Sequence, residues 1–260
     1  MQLVWQSINK SLSFLTITFY YCRLVFFISN ICRSWDYTMH VKFCGFTHLD
    51  DINIATQLGV DAVGLVFYPP SPRAVSQAQA SALVAAVPAF VSVVALVVNM
   101  TVEQLVELAG NVKFDIIQFH GVESPEQCQQ LADSVNKRWI KALRINTEQD
   151  TVESVGAQIE QFAAAGASSM LLDAYSKHKY GGTGARFDWS LIPLNSTLPI
   201  ILAGGLDAQN VAATRDLPIY GVDVSGGIEI DKGKKDSAKM RAFMKAVKHD
   251  RWQSDTLVES

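Results

Sequence analysis

From Val41 to Lys248 the sequence alternates short apolar runs with amphipathic runs, and this alternation constrains the fold more than any other feature. The apolar runs predict strands over 41–44, 62–67, 91–98, 114–119, 139–143, 170–173, 199–203 and 221–224. The amphipathic runs predict helices over 50–58, 76–87, 101–108, 124–134, 151–164, 207–214 and 236–248. Because strands that alternate with helices form a parallel sheet, eight such strands predict an α/β fold, a single (β/α)8 TIM barrel.

Residues at the predicted helix starts support these boundaries. Thr101 and Ser124 are typical N-caps, Pro125 takes the first position of its helix, and Asp207 precedes the helix after the seventh strand. An open, doubly wound sheet is the main alternative. No G-x-G-x-x-G motif follows the first strand, so the dinucleotide-binding form of that fold lacks support.

The first 38 residues differ from the rest of the chain. The stretch 12–31 is almost wholly apolar and long enough for a membrane span or an uncleaved signal anchor, with Lys10 before it. Arg23 at its centre counts against a span. Met39 lies two residues before the first strand, so we expect residues 1–38 to be a non-barrel extension, either a misplaced start or a disordered appendage. The barrel is then residues 39–250, followed by a tail over 251–260.

Charge and cysteine content exclude several classes of protein. The formal net charge is -3 and no basic stripe stands out, which argues against a nucleic-acid binder. The short basic cluster Lys232, Lys234 and Lys235 predicts either a solvated loop or a positive rim near a phosphate. The four cysteines show no zinc-ligand spacing and are too few for a disulfide-stapled domain. A reducing, cytoplasmic location fits them best.

Glycine pairs follow the last two predicted strands. Gly204 and Gly205 come after 199–203, and Ser225, Gly226 and Gly227 come after 221–224. Glycine lets backbone N–H groups approach a ligand closely, because it has no Cβ. In parallel α/β barrels the loops after strands seven and eight commonly hold a phosphate. The sequence therefore predicts a phosphorylated small-molecule ligand.

Reactive side chains stand at the ends of the other predicted strands, where barrel enzymes place their catalytic groups. They are Cys44, Arg73, Gln118, His120, Arg144 and Asp173. A thiol and a carboxyl group across a barrel mouth can act as base and acid. Each also has a structural interpretation: Cys44 as a small core residue, Arg73 as a surface residue and His120 as a hydrogen-bonded core histidine.

Several motifs combine these residues in a fixed order. They are Lys42-Phe43-Cys44-Gly45, the run from Gly64 that ends in Ser71-Pro72-Arg73, Gln118-Phe119-His120-Gly121, Asp173 followed by Gly181-Gly182-Thr183-Gly184, Ala203-Gly204-Gly205-Leu206, and Asp223-Val224-Ser225-Gly226-Gly227-Ile228-Glu229. Together they resemble the motifs of the phosphoribosylanthranilate isomerase family. The resemblance covers nearly everything from Val41 to Lys248 and does not touch residues 1–38.

The resemblance implies an Amadori rearrangement of N-(5-phosphoribosyl)anthranilate to 1-(2-carboxyphenylamino)-1-deoxyribulose 5-phosphate, a step of tryptophan biosynthesis. Asp173 would be the general acid and Cys44 the general base, and Arg73 would hold the anthranilate carboxylate. The phosphate would lie on Gly182, Thr183, Gly184, Gly204, Gly205, Ser225, Gly226 and Gly227. Gln118, His120 and Arg144 would complete the substrate pocket.

On this interpretation the chain needs no cofactor or metal, and its partner is the small-molecule substrate rather than nucleic acid or a membrane. It would act as a monomer or homodimer. Two alternatives stay open: another sugar-phosphate enzyme on the same phosphate-binding barrel, and a membrane-tethered protein that only binds a phosphorylated ligand.

Overall fold

A computed structural model of the protein describes residues 39–174 and 187–248. The predicted extension over 1–38 and the tail over 251–260 lie outside these residues. The barrel strands are β1 His40–Cys44, β2 Ala62–Val66, β3 Ser92–Val97, β4 Ile116–Phe119, β5 Arg138–Ile145, β6 Ser169–Ala174, β7 Ile200–Leu202 and β8 Gly221–Val224. The α-helices are α1 Leu49–Gln57, α2 Gln77–Val84, α3 Val102–Asn111, α4 Pro125–Val135, α5 Val152–Ala164 and α6 Ser237–Lys248.

The eight strands form one closed barrel in sequence order, and every neighbouring pair is parallel. The barrel closes where β1 pairs with β8, with Lys42 opposite Asp223 and Phe43 opposite Val224. On its other side β1 pairs with β2, and Cys44 faces Gly64. The predicted (β/α)8 barrel is confirmed, and its carboxyl-terminal rim brings the predicted strand-end residues together.

Alternate residues of each strand face opposite sides. One set, which includes Phe43, Leu65 and Ile117, joins the main core together with buried helix residues. The other set faces into the barrel, where Ala142, Leu171 and Ala203 form a small apolar cluster. Nearer the rim this inner set includes the polar residues Gln118 and Asp173 and the apolar residues Val66 and Leu96, so the mouth of the barrel has a mixed lining.

Capping boxes begin four of the α-helices, at Ser76, Thr101, Ser124 and Thr151. The side chain of each cap accepts a hydrogen bond from a backbone N–H one turn ahead, which satisfies a donor that the helix itself leaves unpaired. The predicted caps Thr101 and Ser124 are therefore confirmed. None of the helices in the described part of the chain combines the length and apolarity that a membrane crossing requires.

The helix predicted over 207–214 is wrong. Only a short 3-10 turn, Val211–Thr214, forms there. The Asp207 carboxylate accepts hydrogen bonds from the backbone N–H of Gln209 at 2.9 Å and of Asn210 at 3.0 Å, which is the pattern of an N-cap. From Asn210 onward, however, the backbone bonds span three residues, as from Ala213 N–H to the Asn210 carbonyl oxygen at 3.1 Å, so the segment closes as a 3-10 turn. A second 3-10 turn, Trp189–Leu191, precedes β7.

The basic cluster after β8 is part of a small hairpin that the sequence analysis missed. A 3-10 turn, Gly226–Ile228, leads into β9 Glu229–Asp231, which pairs antiparallel with β10 Lys234–Lys235. The interpretation as a solvated loop fails for Lys235, which is only 4% exposed. This hairpin lies beside the barrel mouth and carries Glu229 and Lys235 into the site.

Candidate active site

A cavity of about 250 Å³ opens at the carboxyl-terminal ends of the strands. Its lining includes the predicted residues Cys44, Arg73, Gln118, His120, Asp173, Gly204, Gly205, Ser225, Gly226 and Gly227. Three apolar side chains form one wall of the cavity: Val66 from β2, Leu96 from β3, and Val98, which directly follows β3. The alternation of strands and helices thus brings residues that are far apart in sequence into one pocket.

Cys44 ends β1 and is 5% exposed. Its thiol lies against Gly64 of β2, where an added Cβ would sit 2.6 Å from the sulfur. Burial raises the pKa of the Cys44 thiol and Asp223 adds to the rise, whereas the ammonium groups of Lys42 and Lys235 act in the opposite direction. The thiol is therefore packed in a fixed place among charges of both signs.

Asp173 ends β6 on the other side of the mouth and is also 5% exposed. Its Oδ1 accepts a hydrogen bond from the backbone N–H of Ala174 at 2.9 Å. Its Oδ2 lies 3.4 Å from Nε2 of His120, and Nδ1 of His120 lies 2.9 Å from Nε2 of Gln118. His120 Nε2 and Gln118 Oε1 are buried without a hydrogen-bond partner. Two unpaired polar atoms in one pocket mark a place for ligand contacts.

Arg73 lies in the loop after β2 and forms a two-point ion pair. Its Nε and Nη2 donate to the two carboxylate oxygens of Glu229, at 2.7 and 2.6 Å. Lys235 Nζ lies 2.9 Å from the same carboxylate and also donates to the carbonyl oxygen of Cys44. Burial opposes the charge of Glu229, but Arg73 and Lys235 outweigh it and lower the pKa of that carboxyl group. The hairpin therefore fixes the predicted carboxylate-binding arginine.

The glycine-containing loops after β7 and β8 pack against Cys44 and Asp173, the two predicted catalytic residues. Gly204 has φ +86°, and a Cβ there would lie 2.7 Å from Asp173 Oδ1. At Gly227 a Cβ would lie 1.9 Å from the carbonyl oxygen of Leu206. Ser225 Oγ donates to the carbonyl oxygen of Cys44 at 2.9 Å. Larger residues do not fit these positions, so the two loops, the thiol and the carboxyl group form one close-packed rim.

A second buried ion pair holds the loop after β4, which begins at His120. Lys141 Nζ lies 2.7 Å from Glu123 Oε2 and 3.0 Å from the carbonyl oxygen of Gly121. Glu123 Oε1 in turn accepts a hydrogen bond from the backbone N–H of Asn99 at 2.6 Å. This network ties the loops after β3 and β4 to β5.

Two groups of predicted site residues lie elsewhere. Arg144 is not among the residues that line this cavity; it lines a separate pocket beside Lys141 and Phe162. Gly182, Thr183 and Gly184 lie outside the described residues. Their predicted contacts with the substrate stay predictions.

Four charged residues surround Cys44: Lys42, Asp223, Glu229 and Lys235. Sequence reasoning gave no role to the first three and treated Lys235 only as part of a basic cluster, a solvated loop or a positive rim near a phosphate. One signal was present for Lys42 and Asp223, since each is a charged residue inside an otherwise apolar strand and such residues are rarely buried unless paired. Nothing in the sequence pattern indicated the pairing of Glu229 with Arg73.

Comparisons with known proteins agree with this site. Residues 41–246 match the family model of N-(5'-phosphoribosyl)anthranilate (PRA) isomerase. The N-(5'-phosphoribosyl)anthranilate isomerase of Acinetobacter calcoaceticus is 46% identical over 207 residues, which are 79% of this chain and 95% of that protein. The chain belongs to the phosphoribosylanthranilate isomerase family.

Solved structures of this family have the same fold. Phosphoribosyl anthranilate isomerase from Thermotoga maritima superposes with a TM-score of 0.69 at 33% identity, covering 81% of this chain and 99% of that one. A phosphoribosyl anthranilate isomerase in complex with reduced 1-(o-carboxyphenylamino)-1-deoxyribulose 5-phosphate gives a TM-score of 0.66 at 32% identity, covering 81% and 99%. The family match therefore spans the whole barrel.

The Arg73–Glu229–Lys235 cluster generates a prediction on stability and pH. Glu229→Gln leaves two buried cations without their carboxylate, so it should lower the free energy of unfolding at neutral pH by about 3–5 kcal/mol. The pKa of Glu229 is lower in the folded state than in the unfolded state, where it is about 4.3. The ionised carboxylate therefore contributes to the free energy of unfolding above about pH 4.3, and this contribution is lost as the pH falls through the pKa of the folded state. The difference in free energy of unfolding between wild type and Glu229→Gln should therefore become smaller as the pH is lowered. Urea unfolding at several pH values measures this difference.

Glu107→Gln is the matched control, because Glu107 is exposed on α3. It should change the free energy of unfolding by no more than about 0.5 kcal/mol. A constant difference between wild type and Glu229→Gln at every pH would contradict the assignment of the stabilisation to the Glu229 carboxylate.

Proposed function

We propose that this chain converts N-(5-phosphoribosyl)anthranilate into 1-(2-carboxyphenylamino)-1-deoxyribulose 5-phosphate, the Amadori rearrangement of tryptophan biosynthesis. Membership of the family along the whole barrel supports this reaction. One arrangement in the site gives the main support to the proposed reaction. Cys44 of β1 and Asp173 of β6 line the same cavity, and the glycine loops after β7 and β8 lie between them on the rim. The comparisons favour neither a different sugar-phosphate enzyme nor a tethered binding protein.

The order of strands suits the atoms of the substrate. A phosphate bound by Gly204, Gly205 and the 225–227 loop would place the sugar between the carboxyl group and the thiol. Asp173 would give its proton to the ring oxygen while the bond from that oxygen to C1 breaks and the nitrogen lone pair forms C1=N. The Cys44 thiolate would then take the proton from C2, whose electrons form C1=C2 and neutralise the nitrogen. Proton transfer to C1 from the resulting enol gives the ketone.

Arg73 would bind the anthranilate carboxylate. Glu229 occupies its Nε and Nη2, so Nη1 provides the remaining donor edge. Planar guanidinium groups suit carboxylates, and the apolar wall of Val66, Leu96 and Val98 would take the benzene ring. We place Thr183 and its flanking glycines on the phosphate, Gln118 and His120 beside Asp173, and Arg144 at the edge of the site.

We further propose that residues 39–250 are the working unit and that the protein acts in the cytoplasm as a monomer or homodimer. The family match, which covers residues 41–246, supports the first point. The buried free thiols of Cys44 and Cys128 are compatible with a reducing compartment.

The assignment of acid and base is tested by Cys44→Ala and Asp173→Asn. Each removes the only proton-transferring atom proposed at its step, so each should reduce kcat at least about a hundredfold, the usual scale for a general acid or base. The labile substrate is made in situ from anthranilate and phosphoribosyl pyrophosphate, and its loss is followed by fluorescence. Near-normal turnover in a folded variant would remove that residue from the mechanism.

The same assay is run on the full-length chain and on the chain that begins at Met39. Equal rates would support residues 39–250 as the working unit. Activity of the full-length chain alone would show that residues 1–38 contribute. A folded full-length protein that leaves the substrate untouched would contradict the proposed reaction.

Arg73→Lys tests the carboxylate contact. Lysine keeps the positive charge but not the forked donor geometry, so the two-point contact with Glu229 and the approach to a second carboxylate are both lost. We expect KM to rise about tenfold or more, with a smaller change in kcat, because the contact is made in the ground state as well as in the transition state. Steady-state kinetics separate the two parameters, and an unchanged KM would argue against the contact.

Gly64→Ala tests whether the thiol must stay where the structure puts it. The new Cβ would lie 2.6 Å from the sulfur and 3.1 Å from Cα of Cys44, so the base must move. A displacement on the scale of 1 Å lowers turnover about a hundredfold. Gly156→Ala on α5 is the control, because a Cβ there meets nothing within 4 Å. Equal activity of the two variants would show that the position of the thiol is not critical.

A further inference from the structure

A lysine lies inside the barrel next to the Cys44 thiol. Lys42 precedes Cys44 by two residues on β1, so both side chains face the barrel interior. The Lys42 side chain is 6% exposed, and its Nζ lies 2.9 Å from Oδ1 of Asp223 on the neighbouring strand β8. Because both side chains face inward from one strand, the positive charge of Lys42 also acts on the Cys44 thiol and favours its ionised form. One buried cation thus stabilises a carboxylate and acts on a thiol.

We propose that Lys42 and Asp223 are a positioning pair that sets the ionisation of Cys44, with Lys42 favouring the thiolate and Asp223 opposing it. This deepens the proposed function, on which it rests, because Cys44 is the general base there. Lys42 is not among the residues that line the cavity, so its effect on the reaction passes through Cys44.

The charges around Cys44 favour this role. Lys42 from β1, Asp223 from β8 and Lys235 from β10 act directly on the thiol, and Arg73 from the loop after β2 also interacts with it. Arg73 and Lys235 share the Glu229 carboxylate. The cations of this cluster outnumber its carboxylates by one, so an ionised Cys44 makes the cluster electrically neutral. A buried thiolate is stable only with such compensation.

Asp223 disfavours the Cys44 thiolate, but it also has a second effect, on Lys42, which explains its presence. Burial alone lowers the pKa of Lys42, but the charge and hydrogen bond of Asp223, together with the Cys44 thiol, outweigh burial and raise it. Asp223 therefore helps to keep Lys42 protonated and holds its Nζ at a fixed position inside the barrel. The pair gives Cys44 a cation without leaving an isolated charge in the barrel.

The test is the pH dependence of Cys44 alkylation by iodoacetamide in the full-length protein. Peptide mass spectrometry reads Cys44 separately from the other cysteines, and the rate follows the thiolate fraction. Lys42→Met should raise the thiol pKa by about one unit, which reduces the thiolate about tenfold at a pH below that value. Asp223→Asn should lower the thiol pKa, because it removes the opposing charge but keeps the side-chain shape.

The double variant Lys42→Met/Asp223→Asn covers the case in which Lys42→Met alone does not fold, since it removes both charges together. Lys42 acts on the thiol more strongly than Asp223 does. The double variant should therefore have a thiol pKa above that of the wild type and, where Lys42→Met folds, below that of the single variant. Lys141→Met is the matched control, because it breaks the buried pair with Glu123 and leaves the Cys44 surroundings intact. Its alkylation profile should match that of the wild type.

The pH profile of kcat/KM gives a second readout, which a purely structural role would not move. Its acidic limb should shift to higher pH in Lys42→Met and to lower pH in Asp223→Asn. An unchanged alkylation profile in Lys42→Met, or shifts of the same sign in both single variants, would overturn the proposal. Alkylation needs no substrate, so a failure of the isomerase assay contradicts the proposed function without affecting this result.

Discussion

The pairing of β1 with β8 is the constraint on which the rest of the structure depends. It closes the barrel in a register that places Lys42 opposite Asp223 and Phe43 opposite Val224. The same register sets the end of β1 beside the loop after β8, where Ser225 Oγ and Lys235 Nζ both donate to the Cys44 carbonyl oxygen. A shift by one residue would turn Lys42 and Cys44 into the outer core and would separate the thiol from the loop after β8. Closure of the barrel in this register therefore also assembles the candidate site.

The site concentrates charge in places where the barrel is otherwise apolar, and its charges come in partnered groups. Lys42 pairs with Asp223, Lys141 with Glu123, and Glu229 takes both Arg73 and Lys235. A lone buried cation or carboxylate costs several kcal/mol, and pairing removes most of that cost without adding much net stability. These pairs are better explained by what they hold in place than by the stability they add. Two of them surround Cys44, and the third fixes the loop that follows His120.

The sequence was sufficient to predict the strands and most of the helices, because hydrophobic periodicity and helix capping depend on residues that are close together in the chain. It was sufficient for most of the rim residues that the structure describes, since a parallel barrel sends every strand end to one face. Arg144 is the exception, because it lines a separate pocket. The sequence failed after Asp207: a helix was predicted there, but the backbone bonds from Asn210 onward span three residues and form only a 3-10 turn. It also failed for the β9–β10 hairpin. Lys235 looks like part of a solvated basic cluster until the fold places the Glu229 carboxylate 2.9 Å from its Nζ.

The glycine positions hold the loops and strand ends of the candidate site close together. Gly204 lets the loop after β7 approach Asp173, and Gly227 lets the loop after β8 approach the carbonyl oxygen of Leu206 in the loop after β7. Gly45, with φ +82°, leaves room for the side chains of Arg73 and Ser225. At each position two parts of the rim meet through a space that a Cβ would fill. A change at one of these positions therefore displaces two parts of the proposed site together, so their relative placement is set by backbone packing rather than by the side chains alone.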